Sequence, residues 1–180
     1  LSFANGLRSI LRQDPNIIMV GEVRDEETAG LAVNTALTGH LVLSTIHTND
    51  AATTLPRLID LAIEPYLIAS TVNLAIGQRL VRKICEHCKK EFKITAEQLE
   101  SLKNVIPQEV SAKNNTFYKG KGCDKCNDTG YRGRISINEV LVIDHAIRNA
   151  IHKRATADEI REEAKKQGMT SMIEDGFTKA

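Results

Sequence analysis

A carboxylate and two imidazoles, Glu22, His40 and His47, stand in two short runs that have the character of strand ends. In the first run, Asn16-Ile-Ile-Met-Val-Gly-Glu22-Val-Arg24-Asp25, four apolar residues give way abruptly to Gly-Glu. A strand buried in a parallel sheet delivers such a carboxylate to the sheet edge where ligands bind. In nucleotide hydrolysis a carboxylate so placed works beside Mg²⁺ and the attacking water. In the second run, Thr38-Gly-His40-Leu-Val-Leu-Ser-Thr-Ile-His47-Thr-Asn-Asp50, an apolar strand over residues 41–44 is bracketed by the two histidines. Imidazole and hydroxyl groups at a strand end can hydrogen-bond a γ-phosphate. The bland readings stand beside these. Glu22 could cap the helix that starts near Glu26, Asp25 is as well explained as an N-cap, and a histidine beside a strand is often structural. The phosphate-cradling loop G-x-x-x-x-G-K-[ST] does not occur in the chain, so the two runs make half of a nucleotide site.

The second chemistry is that of four thiols, Cys85-x-x-Cys88 and Cys123-x-x-Cys126. Two C-x-x-C knuckles can close a tetrahedron of thiolates around Zn²⁺. A disulfide framework is the rival, disfavoured because the rest of the chain reads as cytosolic. His87 lies inside the first knuckle, but four cysteines already satisfy the metal.

The elements that position these groups follow from periodicity and punctuation. Residues 1–12 read as a helix with Leu7, Ile10 and Leu11 on one face, ended by Asp14-Pro15. Residues 17–20 form a strand, 26–37 a helix closed by Thr38-Gly39, and 41–44 the next strand. Asn49 or Asp50 caps a helix to about residue 61, with a kink expected at Pro56. Pro65 opens a helix expected to reach residue 76. A short strand over 80–84 leads into the first knuckle. Thr95-x-x-Gln98 is a capping box, Gly120 and Gly122 turn the chain into the second knuckle, and Gly130 and Gly133 turn it out. A strand over 135–142 follows, then a helix capped by Asp144. The capping box Thr156-x-x-Glu159 opens a further helix that Gly168 ends, and a last helix starts within 169–178.

The expected fold class is therefore α/β. A partial nucleotide-binding core over 1–78 precedes a tetracysteine zinc-binding insertion over 79–134 and a C-terminal strand and helical region over 135–180. Of the 180 residues, 42% are hydrophobic and 26% charged, ordinary for a globular protein. No apolar run approaches the roughly 20 residues of a membrane span. The net charge of +1 hides an uneven distribution: −4 over residues 1–78, +6 over 79–134 and −1 over 135–180. The basic middle segment suits an anionic lipid surface or nucleic acid. With 4% aromatic residues and no Trp, stacking platforms are scarce, which disfavours the alternative of a zinc-ribbon nucleic-acid-binding module on an inactive α/β scaffold. The chain begins Leu1-Ser-Phe without an initiating Met, and both ends are expected to be cuts in a longer protein.

These residues together resemble the secretion ATPases of bacterial type II secretion and type IV pilus assembly (GspE/PilB type). Residues 11–25 look like that family's Walker B segment and residues 38–50 like its His box. Gly77-Gln-Arg-Leu80, the tetracysteine pairs and Gly130-Tyr-Arg-Gly-Arg134 complete the match, which covers essentially the whole chain. The resemblance implies a RecA-like P-loop ATPase core, with the Walker A portion absent here. It also implies catalytic roles for Glu22, His47, His40 and Arg24, with Glu22 and His47 meeting ATP and Mg²⁺. A structural Zn²⁺ on Cys85, Cys88, Cys123 and Cys126 is implied too. The whole protein would be a cytoplasmic homo-hexamer, peripheral at the inner membrane. It would work with the inner-membrane platform and the secretion or pilus machinery, and its basic segment would meet anionic phospholipid. Without a Walker A loop, the fragment alone is expected to be inactive. Asn138 stands where relatives are expected to carry an aromatic residue, a difference of packing.

Overall fold

The computed structural model describes residues 3–95, 97–98 and 116–179. The chain divides into two compact units, one of residues 1–76 and 140–169, the other of 77–139 and 170–180. The stretch expected to form one C-terminal region is thus shared between them. The reason is apolar burial: Leu141, Ile143, Ile147, Ile151 and Ile160 lie in the same core as Ile18, Val20, Leu55 and Ile68.

The first unit opens with α1 (Phe3–Leu11) and β1 (Ile17–Val23), followed by α2 (Glu26–Leu37) and β2 (Leu41–Ile46). β1 and β2 pair in parallel from Ile17↔Leu41 to Val20↔Ser44, so α2 is the crossover helix of a βαβ unit. Helix α2 starts where it does because the Asp25 carboxylate accepts a hydrogen bond from the Thr28 N–H at 2.8 Å. It ends at Thr38 because Gly39, at φ +93°, takes a backbone conformation that side chains disfavour. Its small residues Ala29 and Ala32 are buried, which brings the helix close to the sheet. On the strands, Ile18 and Val20 point inward, while Ile17, Met19, Leu41 and Leu43 are exposed.

Both strands run longer than their apolar runs suggest, through Val23 and Ile46. The helix expected from Asp50 begins later, as α3 (Thr54–Asp60), and Asp50 instead caps the preceding turn by accepting the Thr53 N–H at 2.8 Å. Pro56 falls in the first turn of α3, where its missing N–H has no intrahelical role, so the expected kink has no cause there. Helix α4 (Pro65–Thr71) stops five residues short of the expected end. The β-branched pair Thr71-Val72 disfavours continuation, Val72 is extended, and β3 (Leu74–Ile84) begins at once with Ala75 buried between exposed Leu74 and Ile76. Helices α5 (His145–His152) and α6 (Ala157–Lys166) complete this unit. Asp144 caps α5, and the reciprocal Thr156–Glu159 capping box opens α6, both as the sequence suggests.

In the second unit β4 (Lys89–Lys93) pairs antiparallel with β5 (Thr116–Gly120). The Thr95–Gln98 box forms at 3.0 and 3.3 Å and residues 97–98 are helical, while the rest of the helix it was expected to open lies outside the described residues. A 3₁₀ turn (Asp124–Cys126) carries the second knuckle, and β6 (Tyr131–Val142) pairs with β3. The last helix, α7 (Met172–Lys179), is tied to β6 by charge-assisted hydrogen bonds. The Asp175 carboxylate accepts the Asn138 N–H at 2.8 Å, and buried Glu139 accepts the Met172 N–H at 3.2 Å.

Candidate functional site

Glu22 reaches the carboxyl edge of the two-stranded sheet through an irregularity that the sequence pattern does not show. Beyond the Val20↔Ser44 pair the register slips, and Val23 opposes Ile46. Gly21 and Glu22 therefore face the single residue Thr45, the arrangement of a β-bulge. In an uninterrupted strand Glu22 would follow Ile18 and Val20 into the core, because side chains alternate with period two. The bulge gives the inward place to Val23, 6% exposed, and leaves the Glu22 carboxylate one-third exposed. The Thr45 hydroxyl donates to the Gly21 carbonyl at 2.7 Å and fastens the two strands there.

At this edge three sequence-predicted residues meet. Arg24 Nη2 lies 2.6 Å from Glu22 Oε1, and His47 Nε2 lies 2.9 Å from Glu22 Oε2. The hydrogen bond from Arg24 first, and that from His47 second, hold the Glu22 carboxyl below its ordinary range. Glu22 is therefore an ionised acceptor at neutral pH. His47 is 84% exposed and Arg24 70%, so both present most of their surface to a ligand. An open edge with a fixed carboxylate, a guanidinium and an imidazole can orient water, carry a divalent cation and hydrogen-bond a phosphate.

His40 lies at the opposite end of β2 and does not join this group. Its Nδ1 is 3.1 Å from the Thr35 carbonyl and 3.0 Å from the Thr38 hydroxyl. A carbonyl only accepts, so Nδ1 carries the proton, and the ring closes the C-terminal end of α2. Asp25 is held as the α2 cap.

The four cysteines converge. Their sulfur atoms all lie within 4.8 Å of one another, with Sγ–Sγ separations of 4.0 Å (Cys85–Cys123), 3.9 Å (Cys88–Cys126) and 3.7 Å (Cys123–Cys126). A tetrahedron of sulfurs about 2.3 Å from a central zinc has edges of about 3.8 Å, whereas a disulfide needs about 2.05 Å. The donor set thus fits a tetrahedral thiophilic metal. Burial pushes the Cys88 and Cys123 thiols up, Cys123 to about 11. At Cys126 burial is outweighed by the N–H groups of Gly130 and Cys123, each 3.3 Å from its sulfur, and the thiol falls to about 7. The knuckle is tight: a Cβ on Gly120 would stand 2.0 Å from the Gly130 carbonyl oxygen.

A family model described as Type II/IV secretion system protein matches residues 1–180. The chain belongs to this family. Among curated relatives, the type IV pilus assembly ATPase PilB of Thermus thermophilus is 49% identical over 180 residues, covering 100% of this chain and 20% of that protein. The type II secretion system ATPase E of Vibrio cholerae is 43% identical over 188 residues, covering 97% of this chain and 36% of the relative. Solved structures similar to this chain include the Legionella pneumophila ATPase DotB, with a TM-score of 0.60 and 27% identity over 99% of this chain and 38% of that one. The pilus retraction motor PilT with bound ADP aligns with a TM-score of 0.55 and 27% identity over 94% of this chain and 41% of its own. The family and the mixed α/β fold thus agree with the resemblance carried by residues 11–25 and 38–50. The chain spans 20–36% of the length of the two curated relatives. Among the described residues no helix is long and apolar enough to cross a membrane.

Two parts of the site escaped sequence reasoning. The bulge leaves no local signature beyond Gly21. The ion pair between Arg161 and Asp50, at 2.8 Å, joins residues 111 apart, and neither stands in a motif that names the other.

Proposed function

We propose that this chain is the C-terminal part of a hexameric ATPase that powers type II secretion or type IV pilus assembly. The observation that carries the reading is the convergence of Glu22, Arg24 and His47 at the carboxyl edge of a parallel βαβ unit, in a chain of this family. In this reading the Glu22 carboxylate, kept ionised by Arg24, accepts the hydrogen bond of the attacking water and orients it. His47, tethered to Glu22 through Nε2, reads the γ-phosphate. Mg²⁺, when bound with ATP, supplies charge neutralisation at the phosphates. The phosphate-binding loop comes from outside these 180 residues, so the chain alone does not turn over ATP. Exposed Ile17, Met19, Leu41 and Leu43 support this, because parallel sheets are normally covered on both faces.

Cys85, Cys88, Cys123 and Cys126 hold a structural Zn²⁺. The machine works at the cytoplasmic face of the inner membrane, with a platform protein as its partner. In this reading one face of the β4–β5 ribbon meets anionic phospholipid. The cross-strand pairs Lys90↔Lys119 and Phe92↔Phe117 share that face, and the two rings are 6.1 Å apart. Two lysines placed directly opposite repel each other, which an anionic surface relieves. Lys89, Glu91 and Lys93 lie on the other face, where Lys89 covers the Tyr118 ring.

The test is Glu22→Gln in the intact protein. It is expected to keep ATP binding and lose turnover by about 10²-fold or more, because the donor set for phosphate survives while water orientation is lost. Turnover near wild type would remove Glu22 from the mechanism.

A further inference from the structure

His47 is held by its backbone and by its Nε2 bond to Glu22 rather than by packing, since its ring is 84% exposed. What fixes that backbone is the segment that follows it. The Thr48 hydroxyl donates to the Asp50 carbonyl at 3.0 Å and lies 3.2 Å from the Thr54 hydroxyl. The Asp50 carboxylate accepts from the Thr53 N–H at 2.8 Å and the Thr53 hydroxyl at 2.6 Å through Oδ1. Its Oδ2 accepts from Arg161 Nη2 at 2.8 Å, and the other Arg161 amino group bonds Asp158 on the same helix. Asp50 is 19% exposed and Arg161 31%, so solvent and salt screen this pair less than a surface one. A guanidinium on α6 thereby anchors the loop that begins one residue after His47.

We infer that Arg161 is a positioning residue for the Glu22–His47 pair, acting through the Asp50 carboxylate. The inference rests on the reading of Glu22 and His47 as the groups that turn over ATP. Arg161 touches neither of them, and its effect passes through Asp50, the Thr48 hydroxyl and the His47 backbone. Loss of the anchor leaves the Asp50 carboxylate held by Thr53 alone and loosens the loop, and displacements of about 1 Å at a reacting centre lower rates by up to about a hundredfold.

The experiment is a double-mutant cycle in the intact protein. Arg161→Met is expected to lower kcat about tenfold with ATP affinity changed by less than about twofold, because the loss falls on the transition state. Arg161→Lys, which keeps the charge, recovers part of the loss, and Asp50→Asn reproduces it from the other end. In a His47→Ala background Arg161→Met adds less than about twofold, since the route through His47 is already cut. An equal fall in both backgrounds, accompanied by a lowered melting temperature, overturns the inference and makes Arg161 a stability residue.

If the intact wild-type protein does not hydrolyse ATP, the functional reading fails, and the ring-proton NMR shifts of His47 in the 180-residue chain decide positioning alone. Arg161→Met is expected to move them at least halfway toward their values in Glu22→Gln. Shifts that stay at wild-type values overturn the inference.

Discussion

Withdrawal of the metal from the tetracysteine cluster is expected to unfold one unit and spare the other. Among the described residues of the second unit, the buried apolar cluster consists of Cys85, Cys88 and Cys126 with Cys123 packed against it. The first unit instead buries Leu55, Ile68, Leu141, Ile147, Ile151 and Ile160 below 2% exposure. Binding of Zn²⁺ to such sites contributes roughly 10–16 kcal/mol at neutral pH, and that energy is folding energy. A whole domain is stable by only about 5–15 kcal/mol, so loss of the metal term exceeds what hydrogen bonds along β4 and β5 can replace. Cys85→Ser, or chelation at neutral pH, should therefore abolish hydrogen-exchange protection at residues 84–93 and 117–131. Protection at 17–23, 29–36 and 41–46 should persist. The same loss should follow acidification, because protons compete with the metal for thiolates, and each proton taken up disfavours the bound form. Elemental analysis is expected to give one zinc per chain before treatment. Protein stripped of zinc that keeps full protection across 84–93 would refute the reasoning.

Other outcomes follow from the same geometry. His47→Ala in the intact protein should lower kcat with little change in nucleotide affinity, and a fall in melting temperature at unchanged specific activity would assign His47 to stability instead. Reversing charge at Lys90 and Lys119 should weaken binding to anionic vesicles by on the order of 2 kcal/mol or more, about thirtyfold. The same reversal at Lys89 and Lys93 should do much less, and equal effects from both pairs would deny the ribbon face its role. Leu55→Ala, at a fully buried position, should destabilise the first unit by about 2–5 kcal/mol in denaturant unfolding. Burial raises the Asp50 carboxyl, but the Thr53 hydroxyl and N–H and the Arg161 guanidinium outweigh it and hold it below its ordinary range. Its stabilisation is therefore present above the ordinary carboxylate range and is lost as pH falls through the lowered value. Asp50→Asn should flatten that acid limb of the stability curve, and an unchanged limb would show that other carboxylates set it.

Much of the architecture was legible because it depends on neighbours in the chain. The Thr38-Gly39 stop, the Asp25 and Asp144 caps and the Thr95 and Thr156 boxes are local hydrogen bonds between residues within a few positions, and each forms where the sequence places it. The two C-x-x-C knuckles were legible for the same reason: each pair is set by its own turn. The family was readable from residues 11–25 and 38–50, whose order of apolar and polar groups is dense enough to be specific. The helix expected to reach residue 76 failed because residues 71–76 satisfy either period over so short a run. Strand pairing with β6, distant in sequence, settled it.

What the sequence by itself determined is therefore the inventory: which turns cap, which strands are apolar, and that one carboxylate, two histidines and four thiols stand near strand ends or knuckles. Only the tertiary structure decided which of them meet. The slip between Val20 and Val23 depends on how β1 lies against β2, and it turned Glu22 from the core toward Arg24 and His47. The parallel crossover set His40 and His47 at opposite ends of one strand, so only His47 shares the edge with Glu22. The Asp50–Arg161 pair closed across 111 residues when α6 packed into the core through Ile160. Local sequence specifies hydrogen bonds within a turn, but register and long-range ion pairs are settled by which surfaces are buried together.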